Sequence, residues 1–200
     1  VEADLQIGIK VEVEGQILGG ILIADKVSFK DNVRVEVAAA IQSDGDPLTV
    51  ELRLLPAVTI RVDDRTLLDD NRSGAPVPTD PVVLLASINA DDALRIRGRL
   101  VGSEVLATRF EVDDPDSNLE RVDLRGPVDV DPTDTRFMTI IGILIDTDIV
   151  PGTTFEDING NLIDRTTFFN SVQAGALVDA SGDLNPLGDR IDASDLGLED

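Results

Sequence analysis

Leu94-Arg-Ile-Arg-Gly98-Arg-Leu-Val-Gly102-Ser-Glu-Val-Leu-Ala107-Thr-Arg-Phe110-Glu-Val112 alternates apolar and polar residues on both sides of a glycine turn. Successive side chains of a strand point to opposite faces, so this pattern reads as two half-buried strands joined in a hairpin. Val11-Glu-Val-Glu-Gly15-Gln-Ile-Leu-Gly19-Gly-Ile-Leu-Ile-Ala24-Asp-Lys-Val27 lies over it without a gap. Gly15 falls on Gly98, Gly19 on Gly102 and Ala24 on Ala107, all at one offset. A third, looser copy runs through Val178, Gly182, Ala193 and Leu196, with a longer turn between its strands. Lead-ins match too: Leu5-Gln-Ile-Gly8, Ile88-Asn-Ala-Asp91 and Val172-Gln-Ala-Gly175. Internal self-similarity of this kind marks a repeat architecture.

The intervals between the copies also correspond. Val35-Glu-Val precedes the second copy as Val122-Asp-Leu precedes the third, each opening a long apolar segment, Leu48–Val62 and Phe137–Ile145. Pro56 and Gly142 sit mid-segment, where a long strand is expected to bend or bulge around a small barrel. Both segments end in a turn carrying threonine, Asp64-Arg-Thr66-Leu67 and Gly152-Thr-Thr154-Phe155. The expected fold class is all-β: tandem small β-barrel modules, OB-like or barrel-like sandwiches, with at most one or two short helices. The best helix candidate is Thr166–Val172, whose Phe168, Phe169 and Val172 would plug a barrel end. Residues 1–32 make a partial module (a C-terminal half), 33–118 a full one with a Pro-rich loop insertion at 69–81, and 119–200 another. The first half either lacks a partner half upstream or docks on a neighbour as extra strands. Val1 in place of Met leads to the expectation of a processed upstream segment.

Composition excludes several chemistries. The chain has 39 acidic and 17 basic residues, a formal net charge of −22, which disfavours nucleic acid and anionic membrane surfaces. Basic residues are not expected to cluster; Arg95, Arg97 and Arg99 come closest, as the outward positions of one strand. There is no histidine and no cysteine, so imidazole bases, imidazole triads, thiolate metal sites and disulfides are all ruled out. Trp and Tyr are absent as well, which removes the usual stacking platforms for sugars. No Gly-x-Ser-x-Gly elbow or phosphate loop occurs, and no apolar run is long enough for a membrane helix. The protein is expected not to be an enzyme and to need no cofactor.

The order Thr154-Phe155-Glu-Asp157, a turn, a short helical piece, Val172-x-x-Gly175-x-x-Val178 and then Gly182 resembles a bacterial repeat family catalogued as domain-of-unknown-function 5666. About two and a half copies would cover nearly the whole chain. Asp91 in place of a glycine, Ala38–Ala40 where Gly126 stands later, and the Pro-rich insertion depart from the pattern. The resemblance implies small β-barrel modules and an extracytoplasmic setting, whether periplasmic, lipid-anchored or secreted. It implies no activity.

Two acidic loops carry the candidate sites. Asp157, Asn159, Asn161 and Asp164 alternate oxygen-bearing residues in a way that suits Ca²⁺, although Gly160 falls at the fourth position and no glutamate closes the loop, unlike an EF-hand. The competing reading is a tight Asn159-Gly160 hairpin turn. Asp113, Asp114, Asp116 and Asn118 form the second loop, which also reads as a solvated linker. The leading functional expectation is a scaffold, spacer or protein-interaction module, with other envelope proteins or neighbouring modules as partners. The alternative is a domain that holds Ca²⁺ or a small molecule in its acidic loops. Glu12, Glu14 and Gln16 occupy the outward positions that Arg95, Arg97 and Arg99 hold in the second copy, so charge complementarity between modules and independent solvent faces both remain open.

Overall fold

Val33-Arg-Val-Glu-Val37 shows how the strands arise. β-branched residues favour the pleated backbone, and the two-residue period sends Val33, Val35 and Val37 into the core while Arg34 and Glu36 stay at the surface. The computed structural model describes residues 11–38, 41–42, 46–52, 55–115 and 118–200. Its first elements, β1 (Val11–Leu18) and β2 (Ile21–Phe29), form a separate two-stranded hairpin. Next come β3 (Val33–Ala38), β4 (Ile41–Gln42), β5 (Thr49–Leu52), β6 (Leu55–Arg61), β7 (Leu67–Asp70), α1 (Pro81–Ala86), β8 (Ala93–Val101) and β9 (Glu104–Asp113). A matching series follows: β10 (Arg121–Pro127), β11 (Phe137–Ile140), β12 (Ile143–Asp146), β13 (Thr154–Glu156), α2 (Arg165–Ser171), β14 (Leu177–Leu184) and β15 (Arg190–Glu199). The protein is all-β, with two short helices among the described residues, as the sequence leads one to expect.

β3 to β15 belong to one sheet, in the order β11-β12-β15-β14-β10-β3-β8-β9-β6-β5-β4, with β7 on β9 and β13 on β15. The sheet curls. In the second series β11 returns to the end of β10 through a Val128–Ile140 bridge, reinforced by Asp129 N–H donating to the Thr139 carbonyl at 2.9 Å. In the first series β4, the continuation of β3 past residues 39–40, pairs with β5 in the same role. The two series meet where β3 and β10 pair antiparallel, Val35 opposite Leu124. Gly98 pairs with Val33 and Gly182 with Val122, so Val35 and Leu124 are equivalent residues facing each other across a local two-fold axis. The sequence match of Val35 with Val122 is therefore two residues out of register, a slip that keeps the same face because the strand period is two.

The hairpins β1–β2, β8–β9 and β14–β15 share one irregularity. Each shifts register just before its glycine, between Glu14 and Gly15, Arg97 and Gly98, and Ser181 and Gly182. A Cβ on these glycines would meet a backbone carbonyl oxygen at 2.0 Å (Ile23), 2.4 Å (Leu106) and 2.3 Å (Asp192). No side chain fits there, which is why glycine stands at all three positions.

Two expectations are corrected. The long apolar segments are each two strands rather than one bent strand. Gly142 (φ 83°) and Ile141 (φ 43°) form the tight turn between β11 and β12, because a two-residue hairpin loop of this kind takes positive φ at both positions. Ile141 bears that strained backbone while its buried side chain fills the space left by Gly126, where a Cβ would lie 3.0 Å from it. Pro56 likewise lies in the second strand of a β5–β6 hairpin. The Pro-rich 69–81 stretch is also not all loop: Asp69 and Asp70 complete β7, and Pro81 begins α1 behind the N-cap Asp80. The aromatic plug is present. Phe168 is fully buried beside Phe169 and Val172, its ring centroid 5.2 Å from that of Phe155.

Candidate functional site

Asp157 sits where the chain leaves β13 and turns. Its N–H donates to the Asn161 carbonyl at 2.9 Å, the Gly160 N–H donates back to its carbonyl, and Gly160 takes φ 75°. A Glu156–Leu162 bridge and the Ile163 N–H on the Phe155 carbonyl complete a tight hairpin. The Asp157 carboxylate accepts from the Asn161 side-chain amide (3.1 Å) and from the backbone N–H groups of Asn161 and Asn159 (both 2.9 Å), which hold its pKa below the ordinary carboxylate range. Asp164 is elsewhere engaged, as the N-cap of α2. It accepts from the Thr167 hydroxyl at 2.6 Å and the Thr167 N–H at 3.0 Å, and these bonds lower its pKa too. The structure thus joins Asp157 to Asn161 through the NH₂ end of the amide and assigns Asp164 to a helix. Among the described residues no three acidic groups come together as a metal site.

In the second loop, Asp116 lies outside the described residues. Asp113 accepts from the Asn71 amide at 3.2 Å, Asp114 from the Ser73 N–H at 3.3 Å, and Asn118 accepts from the Glu120 N–H at 3.1 Å. The first two bonds tie the crossing between β9 and β10 to the loop after β7, and the third is a turn within the crossing.

One charge arrangement spans five strands and does not show in the local sequence. Register places Arg109 opposite Arg97, Arg97 opposite Arg34, Arg34 opposite Arg125 and Arg125 opposite Asp179, a row across β9, β8, β3, β10 and β14. The expectation that basic residues do not cluster is thereby corrected: they gather across strands rather than along one. Like charges placed directly opposite destabilise a sheet, so the row needs counter-charges. Arg34 meets Asp179 at 2.5 Å, Arg109 meets Asp69 at 2.7 Å and Arg125 meets Glu199 at 3.3 Å. Burial, aided by nearby Glu199 and Asp123, pushes Asp179 above the ordinary carboxylate range against the pull of Arg34. An open cavity of about 550 Å³ lies over this seam, lined by Lys30, Arg34, Arg97 and Arg125 together with Asp31 and Asp200.

Two further arginines act as internal clamps. Arg72 spends all five donors: bidentate on Asp70 at 2.7 and 2.8 Å, one bond to Asp92 at 2.7 Å, and one each to the Ser87 carbonyl and hydroxyl. The clamp ties β7, the end of α1 and the approach to β8 together, and it holds the Asp70 pKa down. It also walls an open groove of about 670 Å³ under Ser73–Asp80, but its guanidinium has no donor left for a ligand. Arg136 grips the fully buried Asp146 bidentately at 2.9 and 3.0 Å, with Arg190 at 3.8 Å, and lowers the Asp146 pKa. Sequence reasoning passed over both clamps. The only local signal is Asp-x-Arg spacing at Asp70–Arg72, which is commonplace in a chain this rich in aspartate.

The chain matches no family model, no curated protein and no solved structure. What the site can do is read from its geometry alone. Its carboxylates hold arginines, cap turns or cap a helix.

Proposed function

We propose that this chain is a non-enzymatic β-repeat protein of the bacterial envelope or exterior, serving as a scaffold, spacer or protein-interaction module. The observation that carries the reading is the β3–β10 seam. Through it two similar units share one hydrogen-bonded sheet, so that a displacement of one is passed to the other through backbone bonds. Supporting it, most of the arginines of the sheet are engaged in ion pairs, and the loop carboxylates Asp157 and Asp164 in turn and helix caps. An extracytoplasmic location, periplasmic, lipid-anchored or secreted, is favoured by the resemblance to the 5666 repeat family, and partners would be other envelope proteins or adjoining modules of the same kind. No helix among the described residues is long and apolar enough to cross a membrane.

The test has two arms. Calorimetry should give one cooperative transition for the two fused units, with calorimetric and van't Hoff enthalpies in agreement. Fractionation of cells producing the native gene product should place it in the envelope or medium. Two independent transitions would remove the rigid-scaffold reading, and a cytoplasmic pool alone would remove the envelope assignment.

A further inference from the structure

The hairpin β1–β2 has the same glycine bulge and the same alternation as β8–β9, yet its core face is bare. Leu94, Ile96 and Val105 are at most 1% exposed, whereas the residues at the equivalent positions are half-buried Val11, Val13 at 38% and Leu22 at 49%. Ile17, Leu18, Ile21 and Ile23 are open as well. What covers such a hairpin is visible twice in this chain. An antiparallel strand lies along its first strand (β3 on β8, β10 on β14), and two parallel strands lie along its second (β6 and β7 on β9, β12 and β13 on β15). Among the described residues β1 pairs only with β2. Both covering sets in the chain are committed to their own hairpins, in this copy and in any second copy.

We propose that β1–β2 is an acceptor half-barrel, completed by a polypeptide segment outside these 200 residues that has the β10–β13 pattern. Charge defines the occupant further. The position that Arg95 occupies on β8 faces Glu36 of β3, and its equivalent Asp179 on β14 faces Arg125 of β10, so opposite charges meet at this place in both complete units. The equivalent residue on β1 is Glu12, followed outward by Glu14. Lys30 and Lys26 flank these acids from the β2 side at 2.7 and 2.8 Å, as Asp113 flanks Arg95 from β9. The free side of β1 therefore calls for bases. The donor strand carries branched apolar residues inward and Arg or Lys opposite Glu12 and Glu14, and it binds by strand addition with main-chain hydrogen bonds. This goes beyond the scaffold role, and its test does not depend on cellular location or on the cooperativity of residues 33–200.

The probe is a fragment of residues 119–171 added to the full chain in two versions. One carries Asp123→Arg, which sets bases opposite both Glu12 and Glu14; the other carries Arg125→Glu, which sets acids opposite both. Hydrogen exchange of the amides in 11–29 should slow with the basic version, which should bind on the order of tenfold tighter than the acidic one, as expected when two cross-strand pairs change from like to opposite charge. Replacing Glu12 and Glu14 by Lys in the chain should reverse that order. Because a free fragment can aggregate, the same segment is also fused ahead of Val1, where protection of 11–29 should appear within one chain. Rapid exchange in both formats overturns the proposal. So does equal binding of the two fragments, or protection that grows with the concentration of the chain alone, which would make the partner a second copy.

Discussion

Substituting alanine for each of the three bulge glycines separates the roles of the three hairpins. In Gly98→Ala the new Cβ starts 2.4 Å from the Leu106 carbonyl oxygen and 3.0 Å from Val105 Cγ1; in Gly182→Ala it starts 2.3 Å from the Asp192 oxygen. Both atoms lie within a packed sheet between Ile96 or Ala180 and the opposing strand, so the backbone must shift to accept the methyl group. Overpacking of this sort costs about 1–3 kcal/mol. The smaller entropy of the unfolded alanine chain returns roughly 0.4–1 kcal/mol of that where the site is unstrained, and none of it here. For a chain of this size each kcal/mol moves Tm by about 2–4 °C, so both variants should melt roughly 2–12 °C lower in calorimetry. Gly15→Ala is sterically worse, with its Cβ 2.0 Å from the Ile23 oxygen. Yet β1–β2 contributes little buried surface, so the main transition should stay within about 1 °C of the parent, a negligible free-energy change on that scale. If Gly15→Ala lowers the main transition as far as Gly98→Ala does, the hairpin is energetically part of the core and the reasoning fails.

Other outcomes are equally open to measurement. Arg72→Met should cost about 3 kcal/mol at neutral pH in urea unfolding, because it leaves the nearly buried Asp70 and Asp92 without their shared cation; the loss should shrink at acid pH as Asp70, whose pKa Arg72 holds down, is protonated in the parent as well. Asp146 has a folded pKa held below its unfolded value of about 3.9, so its contribution is complete above that pH and disappears as pH falls through the folded value. Asp146→Asn should therefore lower stability at neutral pH by about 1–3 kcal/mol and flatten the acid limb of the stability profile. Asp179 has its pKa raised by burial, so its ionisation opposes folding as pH rises between the unfolded and folded values; Asp179→Asn should leave the acid limb steep. Millimolar Ca²⁺ should leave Tm unchanged, since the Asp157 carboxylate already accepts from two backbone N–H groups and the Asn161 amide, and a concentration-dependent rise would restore the ligand-binding alternative.

The features legible in the sequence are those carried by local alternation. The Leu94–Val112 hairpin and its two relatives, their glycines, and the Phe168–Phe169–Val172 plug all follow from residues close together in the chain. Where tertiary structure overrides local preference the reading fails. Ile141 at positive φ contradicts every β-branched tendency, and only the missing side chain of Gly126 across the sheet makes room for it. Helix α1 escaped because only Leu84 is buried, leaving no apolar period to detect, although Asp80-Pro81 is an N-cap followed by a favoured first residue. The arginine row escaped for a different reason. Arg109 faces Arg97 within the β8–β9 hairpin, but Arg34, Arg97 and Arg125 stand far apart in the chain, and only the β3–β8 and β3–β10 registers set them side by side.

The turn threonines, noticed in the sequence only as punctuation, explain why the bulge glycine recurs. β9 changes partners along its length, pairing with β6 at Glu104–Leu106 and with β7 at Arg109–Val112. β15 does the same, with β12 at Arg190–Asp192 and β13 at Asp195–Gly197. The change falls at Ala107 and Ala193, directly opposite Gly98 and Gly182. At that break a carbonyl loses its ladder partner, and a threonine supplies one: Thr66 Oγ1 donates to the Ala107 carbonyl at 2.9 Å and Thr153 Oγ1 to that of Ala193 at 3.0 Å. Thr153, rather than its neighbour Thr154, is thus the counterpart of Thr66. The bulge bends the hairpin, the small residue opposite it leaves space, and the hydroxyl closes the gap that bending opens. β1–β2 carries the bulge at Gly15 and the small residue at Ala24, while no threonine hydroxyl among the described residues reaches the Ala24 carbonyl. A bend without the strands it exists to receive is a receptor geometry. The most direct sign of a donor in place would be a hydroxyl bonded to that carbonyl.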